Sequence, residues 1–102
     1  MVSVGLFVRL EARADKAAEV ESLLRGALAA IQQEPTTVAW FAFRFGPTTF
    51  GLFDAFSNEE GLQAHLSSQV AAALVTKAPE LFTQPPRTEK VDILAAKLPG
   101  QL

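Results

Sequence analysis

A chain of 102 residues, 49% of them apolar, is long enough for one domain with a buried core and too apolar for intrinsic disorder. It has no cysteine and one histidine, which excludes disulfides, thiolate nucleophiles, cysteine zinc sites and histidine metal clusters. Its 9 basic and 11 acidic residues are scattered singly, so the basic patch of a nucleic-acid-binding protein is missing. No stretch approaches the ~20 apolar residues of a membrane span, and the N-terminus lacks signal-peptide features. We therefore predict a cytoplasmic protein with no membrane or metal association.

The first part of the chain predicts a strand and a long helix. Residues 3–12 alternate between apolar and other side chains, which is typical of a strand. Across residues 15–33, apolar residues recur every three or four positions, which predicts an amphipathic helix capped by Asp15. Pro35 ends this helix because it lacks a backbone N–H and restricts Glu34.

A hairpin and a second helical region follow. Residues 38–45 and 50–56 are rich in aromatic residues and flank a Gly46-Pro47 turn, which predicts two antiparallel strands. Ser57 and Glu60 have the spacing of a capping box, so a helix is expected to begin near Asn58. Helical spacing continues through residues 69–77, and Pro79 is expected to interrupt or restart it. Residues 88–96 predict a last strand.

The order β-α-β-β-α-β predicts an α+β fold of the ferredoxin-like type. This is a four-stranded antiparallel sheet with the helices on one face. The predicted domain covers residues 1–96, and residues 97–102 are predicted to form a C-terminal tail.

The two faces of the hairpin can be separated by register. We expect Arg44 opposite Phe50 and Trp40 opposite Asp54, and we expect the uncharged face to meet the helices together with Val4, Leu6, Val8 and Leu10. This uncharged face comprises Ala39, Phe41, Phe43, Phe45, Gly51, Phe53 and Ala55. The outer face would then carry Phe7, Arg9, Val38, Trp40, Ala42, Arg44, Phe50, Leu52, Asp54 and Phe56. A face so rich in aromatic residues is too apolar for water, which predicts a homodimer joined sheet face to sheet face.

Two residues are candidates for catalysis. His65 is the only side chain of the chain whose ordinary pKa lies near neutrality, and the helical pattern places it at the edge of the apolar stripe. There it could act as a general base or simply bond a backbone carbonyl. Asp54 on an aromatic face needs a partner, for which Arg9 and Arg44 are the candidates. A plain Asp–Arg pair and a substrate-anchoring role both remain open.

A second group of residues could bind a small aromatic molecule. Its members are Trp40, Phe7, Phe50 and Phe56 for stacking, and Arg9 and Arg44 for orienting a substrate anion. The same aromatic side chains could instead form only core or dimer contacts.

A short run carries a resemblance to a known family. Asp54-Ala55-Phe56, followed by Glu59-Glu60 and Ala64-His65, resembles the antibiotic biosynthesis monooxygenase domain of the dimeric α/β-barrel superfamily. Many members have Glu-x-Trp where this chain has Asp54 and Phe56. The resemblance implies a homodimer and cofactor-free oxidation of quinol-like aromatic molecules by dioxygen, while a related branch degrades haem.

Two functions follow as hypotheses. The first is a cofactor-independent monooxygenase that acts on a hydroxylated aromatic molecule, with His65 or Asp54 as the base. The alternative is a non-catalytic dimeric α/β-barrel that binds a small apolar ligand or serves as an assembly module. Haem degradation is a third hypothesis, in which His65 would have to be the axial ligand because the chain has no other histidine.

Overall fold

In the computed structural model, which describes residues 1–99, a four-stranded antiparallel sheet carries three helices on one face. The strands are β1 (Val4–Glu11), β2 (Thr37–Arg44), β3 (Thr49–Phe56) and β4 (Arg87–Asp92). The helices are α1 (Ala17–Ile31), which follows a 3-10 turn at Ala14–Lys16, α2 (Glu59–Leu66) and α3 (Gln69–Leu81). The strand order is β2-β3-β1-β4. The predicted ferredoxin-like α+β fold with helices on one face is thereby confirmed, whereas the dimeric barrel stays a prediction.

The core lies between the helices and one face of the sheet, which we call the helix face. On β1 this face carries Val4, Leu6, Val8 and Leu10, all buried as predicted. Their direct partners on β3 are, in the same order, Phe56, Asp54, Leu52 and Phe50. Because directly paired residues of antiparallel strands point to the same side, these four β3 residues also face the helices.

The predicted orientation of the hairpin is therefore wrong, because the side expected to face outwards faces the helices. The register was right, since Trp40 pairs with Asp54 and Arg44 with Phe50. The hairpin residues expected to face outwards, among them Trp40, Phe50 and Asp54, lie on the helix face instead, whereas Phe7 and Arg9 of β1 face outwards as predicted. The prediction turned the uncharged side inwards to avoid burying Asp54, but a histidine from α2 meets this carboxylate inside the protein.

The opposite side of the sheet, which we call the open face, carries five phenylalanines. They are Phe7, Phe41, Phe43, Phe45 and Phe53. The Phe7 and Phe43 rings stack with centroids 6.4 Å apart, and Phe45 meets Phe43 edge-on at 5.5 Å. The absence of a side chain at Gly5 leaves space for the ring of Phe53, because a Cβ at position 5 would lie 2.8 Å from Cζ of Phe53. Phe41 and Phe45 are 55% and 53% exposed, so the open face presents a continuous aromatic surface.

The ends of several elements differ from the prediction. The N-cap of α2 is Asn58 rather than Ser57, and its side chain accepts a hydrogen bond from the N–H of Gly61 at 3.0 Å. The second helical region is divided into α2 and α3 by Ser67 and Ser68, and Ser68 caps α3. Pro79 lies inside α3 and does not end it.

Differences also occur at both ends of the chain. Asp15 lies in the 3-10 turn and makes no cap bond to α1. Strand β4 ends at Asp92, earlier than predicted, and residues 93–99 form neither helix nor strand. Residues 100–102 of the predicted tail lie outside the described residues. None of the helices within residues 1–99 has the length and apolar character needed to span a bilayer.

Substitutions test whether Asn58 or Ser57 is the N-cap of α2. Asn58→Ala removes the acceptor for the Gly61 N–H, so we expect a loss of about 1 kcal/mol in the free energy of unfolding. Ser57→Ala is the matched control and should change the stability by less than about 0.5 kcal/mol, because Ser57 is exposed and does not cap the helix. Urea denaturation of both variants makes the measurement. An equal loss in both would contradict the cap assignment.

Candidate functional site

A cavity of about 460 Å³ lies between the helix face of the sheet and the helices. Leu6 of β1, Leu52 of β3 and Trp40 of β2 contribute to the sheet side, and Ala27 of α1 and Leu74 of α3 to the helix side. Most of the lining is hydrocarbon, and the volume is in the range of small-molecule sites. The helix side of the lining is made by residues of α1, α2 and α3.

Asp54 and His65 meet at the wall of this cavity. Asp54 lies on β3, where its pairing with Leu6 turns its side chain towards the helices. Asn58 fixes the start of α2, so that His65 in the last turn of this helix reaches the carboxylate. Nε2 of His65 lies 2.7 Å from Oδ2 of Asp54, and the two residues are 7% and 1% exposed. Both predicted catalytic candidates are thus in contact and line the cavity.

A third side chain, Glu34, completes the group and was missed in the sequence. It lies in the loop between α1 and β2, and its Oε1 is 2.9 Å from Nδ1 of His65. The hydroxyl of Thr37 donates to the same oxygen at 2.7 Å. Glu34 and His65 are 31 positions apart, and no local pattern links them. Both imidazole nitrogens therefore face a carboxylate, which favours the doubly protonated ring.

The charge of His65 depends on the balance of two effects. Burial by itself lowers the pKa of His65, because it penalises the charged form. The hydrogen bonds and charges of Asp54 and Glu34 outweigh burial and raise the pKa above its ordinary value of 6.5. The two carboxylates therefore raise the pKa of His65 in spite of its burial.

The second oxygen of Asp54 is free. Oδ1 is fully buried and has no hydrogen-bond partner within the described residues. A buried acceptor without a partner is costly, so such groups are a frequent mark of a binding or catalytic site. Chemically, Oδ1 keeps lone pairs that can accept a hydrogen bond or a proton.

The same three side chains do not form a metal site. The imidazole ring lies between the two carboxylates, so the possible donor atoms do not converge on one point. Throughout residues 1–99, no group of three His, Cys, Asp or Glu side chains could hold a metal ion.

The predicted arginine partners of Asp54 lie elsewhere. Arg9 is on the open face, where it pairs with Glu11 at 3.2 Å and lies over the ring of Phe45. Arg44 pairs with Glu21 of α1. The expected Asp54–arginine pair is therefore wrong, because the partner of Asp54 is His65.

The predicted aromatic residues are divided among three places. Trp40 lines the cavity. Phe50 and Phe56 are buried in the core, and the ring of Phe56 lies 5.5 Å from the imidazole of His65. Phe7 belongs to the open face. Of the residues predicted to act on or bind a substrate, the structure brings three to the cavity: Trp40, Asp54 and His65.

Comparison with solved structures relates the whole chain to a known protein. NE2512 from Nitrosomonas europaea, a protein of unknown function, is 51% identical over 99% of this chain and 98% of its own, with a TM-score of 0.96. This chain belongs to the family of NE2512. No protein-family model matches it, and no curated protein is significantly similar to it.

More distant structures share the fold. Rv0793 from Mycobacterium tuberculosis is 18% identical over 92% of this chain and 97% of its own, with a TM-score of 0.83. A protein described as an antibiotic biosynthesis monooxygenase is 17% identical over 90% of this chain and 99% of its own, with a TM-score of 0.78. This chain thus has an antibiotic biosynthesis monooxygenase-like fold, which confirms the resemblance at the level of fold.

The raised pKa of His65 predicts how stability depends on pH. The ionic bonds of the imidazolium contribute fully below its unfolded pKa of about 6.5, and their contribution is lost as pH rises through the higher folded pKa. The free energy of unfolding should therefore fall over this interval. Glu34→Gln should lower the pKa and reduce the fall, because it removes one of the two charges that hold the proton.

The measurement is simple because the chain has a single histidine. Its imidazole resonance can be titrated by NMR while urea denaturation is followed across the same pH range. Glu60→Gln is the matched control, since Glu60 is an exposed residue of the same helix. An unchanged pKa in Glu34→Gln would contradict the assigned contact.

Proposed function

We propose that this protein is a cofactor-independent monooxygenase of the antibiotic biosynthesis type, which oxidises a small hydroxylated aromatic molecule in the cavity. The observation that supports this most is Asp54, a buried carboxylate that is among the residues lining an apolar cavity and whose Oδ1 has no hydrogen-bond partner within the described residues. A base in an apolar site is what such a reaction requires, since the substrate itself supplies the electrons.

In the proposed reaction, the carboxylate of Asp54 accepts the proton of the substrate hydroxyl. The electron-rich anion then reacts with dioxygen. One oxygen atom enters the substrate, the other leaves as water, and the substrate loses two hydrogens overall. The electrons and protons therefore balance without a further reductant.

The neighbours of Asp54 have distinct roles in this proposal. His65 lies 2.7 Å from Asp54, so its contact keeps the carboxylate in position. Glu34 holds the imidazole in place through Nδ1. Trp40 gives the aromatic substrate a surface and excludes water. Five of the residues predicted to bind the substrate do not line the cavity, so this proposal gives them no contact with the substrate. They are Arg9, Arg44, Phe7, Phe50 and Phe56.

We also propose that the protein is a homodimer joined through its open face. The supporting observation is the exposed phenylalanine cluster of that face, which is costly in water. The open face carries Phe7 and Arg9, as the predicted dimer surface does. The hairpin residues of the open face differ from the predicted ones, because the hairpin presents its other side there. The cytoplasmic location stays a prediction.

The catalytic proposal is tested by oxygen uptake with a panel of quinols and related hydroxylated aromatic molecules. Asp54→Asn removes the base and should lower kcat by about 100-fold or more, which is the usual contribution of a general base. Glu60→Gln, an exposed residue outside the cavity, is the control and should retain full activity. Equal turnover by Asp54→Asn and the unsubstituted protein would reject Asp54 as the base. Binding without turnover of any panel member would favour the non-catalytic binding protein.

The dimer is tested by placing a charge on the open face. One chain has a mass of 11.0 kDa, so a dimer has twice that mass, about 22 kDa. In analytical ultracentrifugation, Phe43→Lys should lower the measured mass from that of the dimer towards that of one chain. Ala29→Lys adds the same charge at an exposed position of α1 and should leave the mass unchanged. A monomer in the unsubstituted protein at micromolar concentration would contradict the dimer.

A further inference from the structure

A second concave region lies between α1 and β2, and we call it the α1–β2 groove. Its volume is about 630 Å³, which is in the range of small-molecule sites. Residues three or four positions apart on α1 form one wall, among them Glu21, Arg25 and Leu28. The sheet contributes to the other wall with Trp40 and Arg44 of β2 and Phe50 of β3.

Part of the groove is apolar surface in contact with water. Leu28 is 46% exposed, and Trp40 is only partly buried. A molecule with an apolar body would remove this surface from water, which is favourable. The groove is therefore suited to more than a simple inorganic ion.

The charges of the groove leave a positive excess. Its ionisable lining residues are Glu21, Arg25 and Arg44. Oε2 of Glu21 accepts a hydrogen bond from Nε of Arg25 at 2.9 Å, and Oε1 accepts one from Nη2 of Arg44. These bonds lower the pKa of Glu21, so its carboxylate is ionised at neutral pH. Two positive charges against one negative charge leave a net charge of +1 at the groove, in a chain whose formal net charge is −2.

Both arginines keep hydrogen-bond donors for a ligand. A guanidinium has several N–H groups, and the bonds to Glu21 occupy one nitrogen of each arginine. The guanidinium of Arg44 also lies over the ring of Phe50, 5.2 Å from its centroid, and this contact limits the orientations of the side chain. The remaining donors match a carboxylate, which accepts hydrogen bonds in the same planar geometry.

We propose that the α1–β2 groove is a binding site for an organic carboxylate with an apolar body. The carboxylate would bind to Arg25 and Arg44, and the apolar body would pack against Leu28 and Trp40. The site is separate from the Asp54–His65 pair, because neither of these residues lines the groove. The inference therefore does not rest on the proposed oxidation.

Two natural reporters distinguish the groove from the cavity. Trp40 lines both the groove and the cavity, whereas His65 lines only the cavity. The chain has one tryptophan and one histidine, so each side chain gives a single set of ring resonances in an NMR spectrum. A ligand in the groove should shift the indole resonance of Trp40 and the backbone resonances of residues 21–28, and it should leave the imidazole of His65 unchanged.

The probes are 4-phenylbutyrate and 4-phenyl-1-butanol, which share an apolar body and differ in charge. NMR titration of the full chain at neutral pH should show that the carboxylate binds about fivefold or more tightly than the alcohol, as expected for exposed ion pairs. Added salt should weaken the binding of the carboxylate and should not weaken that of the alcohol.

Substitutions assign the preference to the two arginines. The double variant Arg25→Gln, Arg44→Gln should bind the carboxylate no more tightly than the alcohol. Lys77→Gln is the control, since it removes one positive charge from an exposed position of α3 outside the groove, and it should keep the full preference. The backbone spectrum establishes that each variant is folded, and the two probes test the unsubstituted protein even if the double variant does not fold.

Several results would overturn the inference. They are equal binding of the two probes to the unsubstituted protein, absence of carboxylate binding at millimolar concentration, and an unchanged preference in the folded double variant. Carboxylate shifts at His65 without shifts in residues 21–28 would place the ligand in the cavity and would also overturn it. None of these results depends on oxygen uptake, so the groove and the monooxygenase stand or fall separately.

Discussion

The buried carboxylate of Asp54 is the constraint on which the arrangement of this protein depends. A carboxylate enclosed by a sheet and helices needs a charged partner, because the loss of hydration is otherwise too costly. The partner comes from α2, and its orientation comes from Glu34 in the loop between α1 and β2. Three segments that are distant in the sequence are thereby fixed relative to one another. The cavity lies beside this junction, and Asp54 and His65 are both part of its lining.

Hydrophobic pattern and turn residues were sufficient to predict the fold. The alternation in β1, the apolar stripe of α1 and the aromatic runs around Gly46-Pro47 gave the strands, the first helix and the hairpin register correctly. They could not orient the hairpin, because apolar residues occupy both of its faces. Burial alone does not distinguish two such faces. What distinguishes them is the direct pairing of Leu6 with Asp54, which is a contact between distant parts of the chain.

The candidate site was partly accessible from the sequence. Asp54 and His65 stood out because a charge in an aromatic strand and a lone histidine are conspicuous. Glu34 was not conspicuous, because an acidic residue before a proline in a loop usually belongs to the surface. Arg9 and Arg44 were chosen as partners for Asp54 from an incorrect assignment of faces. One wrong orientation therefore produced the incorrect partners of Asp54, since it pointed Asp54 away from the helices.

Strand β2 is an edge strand that has few features to prevent it from pairing with another chain. Within the described chain its outer side pairs with no other strand, whereas the opposite border, β4, carries Arg87, Glu89, Lys90 and Asp92. Charges of this kind prevent sheets from joining edge to edge, and β2 has only Arg44 at its far end. Eight residues without proline and with three aromatic rings form a template for aggregation. Newly made chains of this protein are therefore most vulnerable to misassembly along β2, and concentrated or partly unfolded samples carry the same liability.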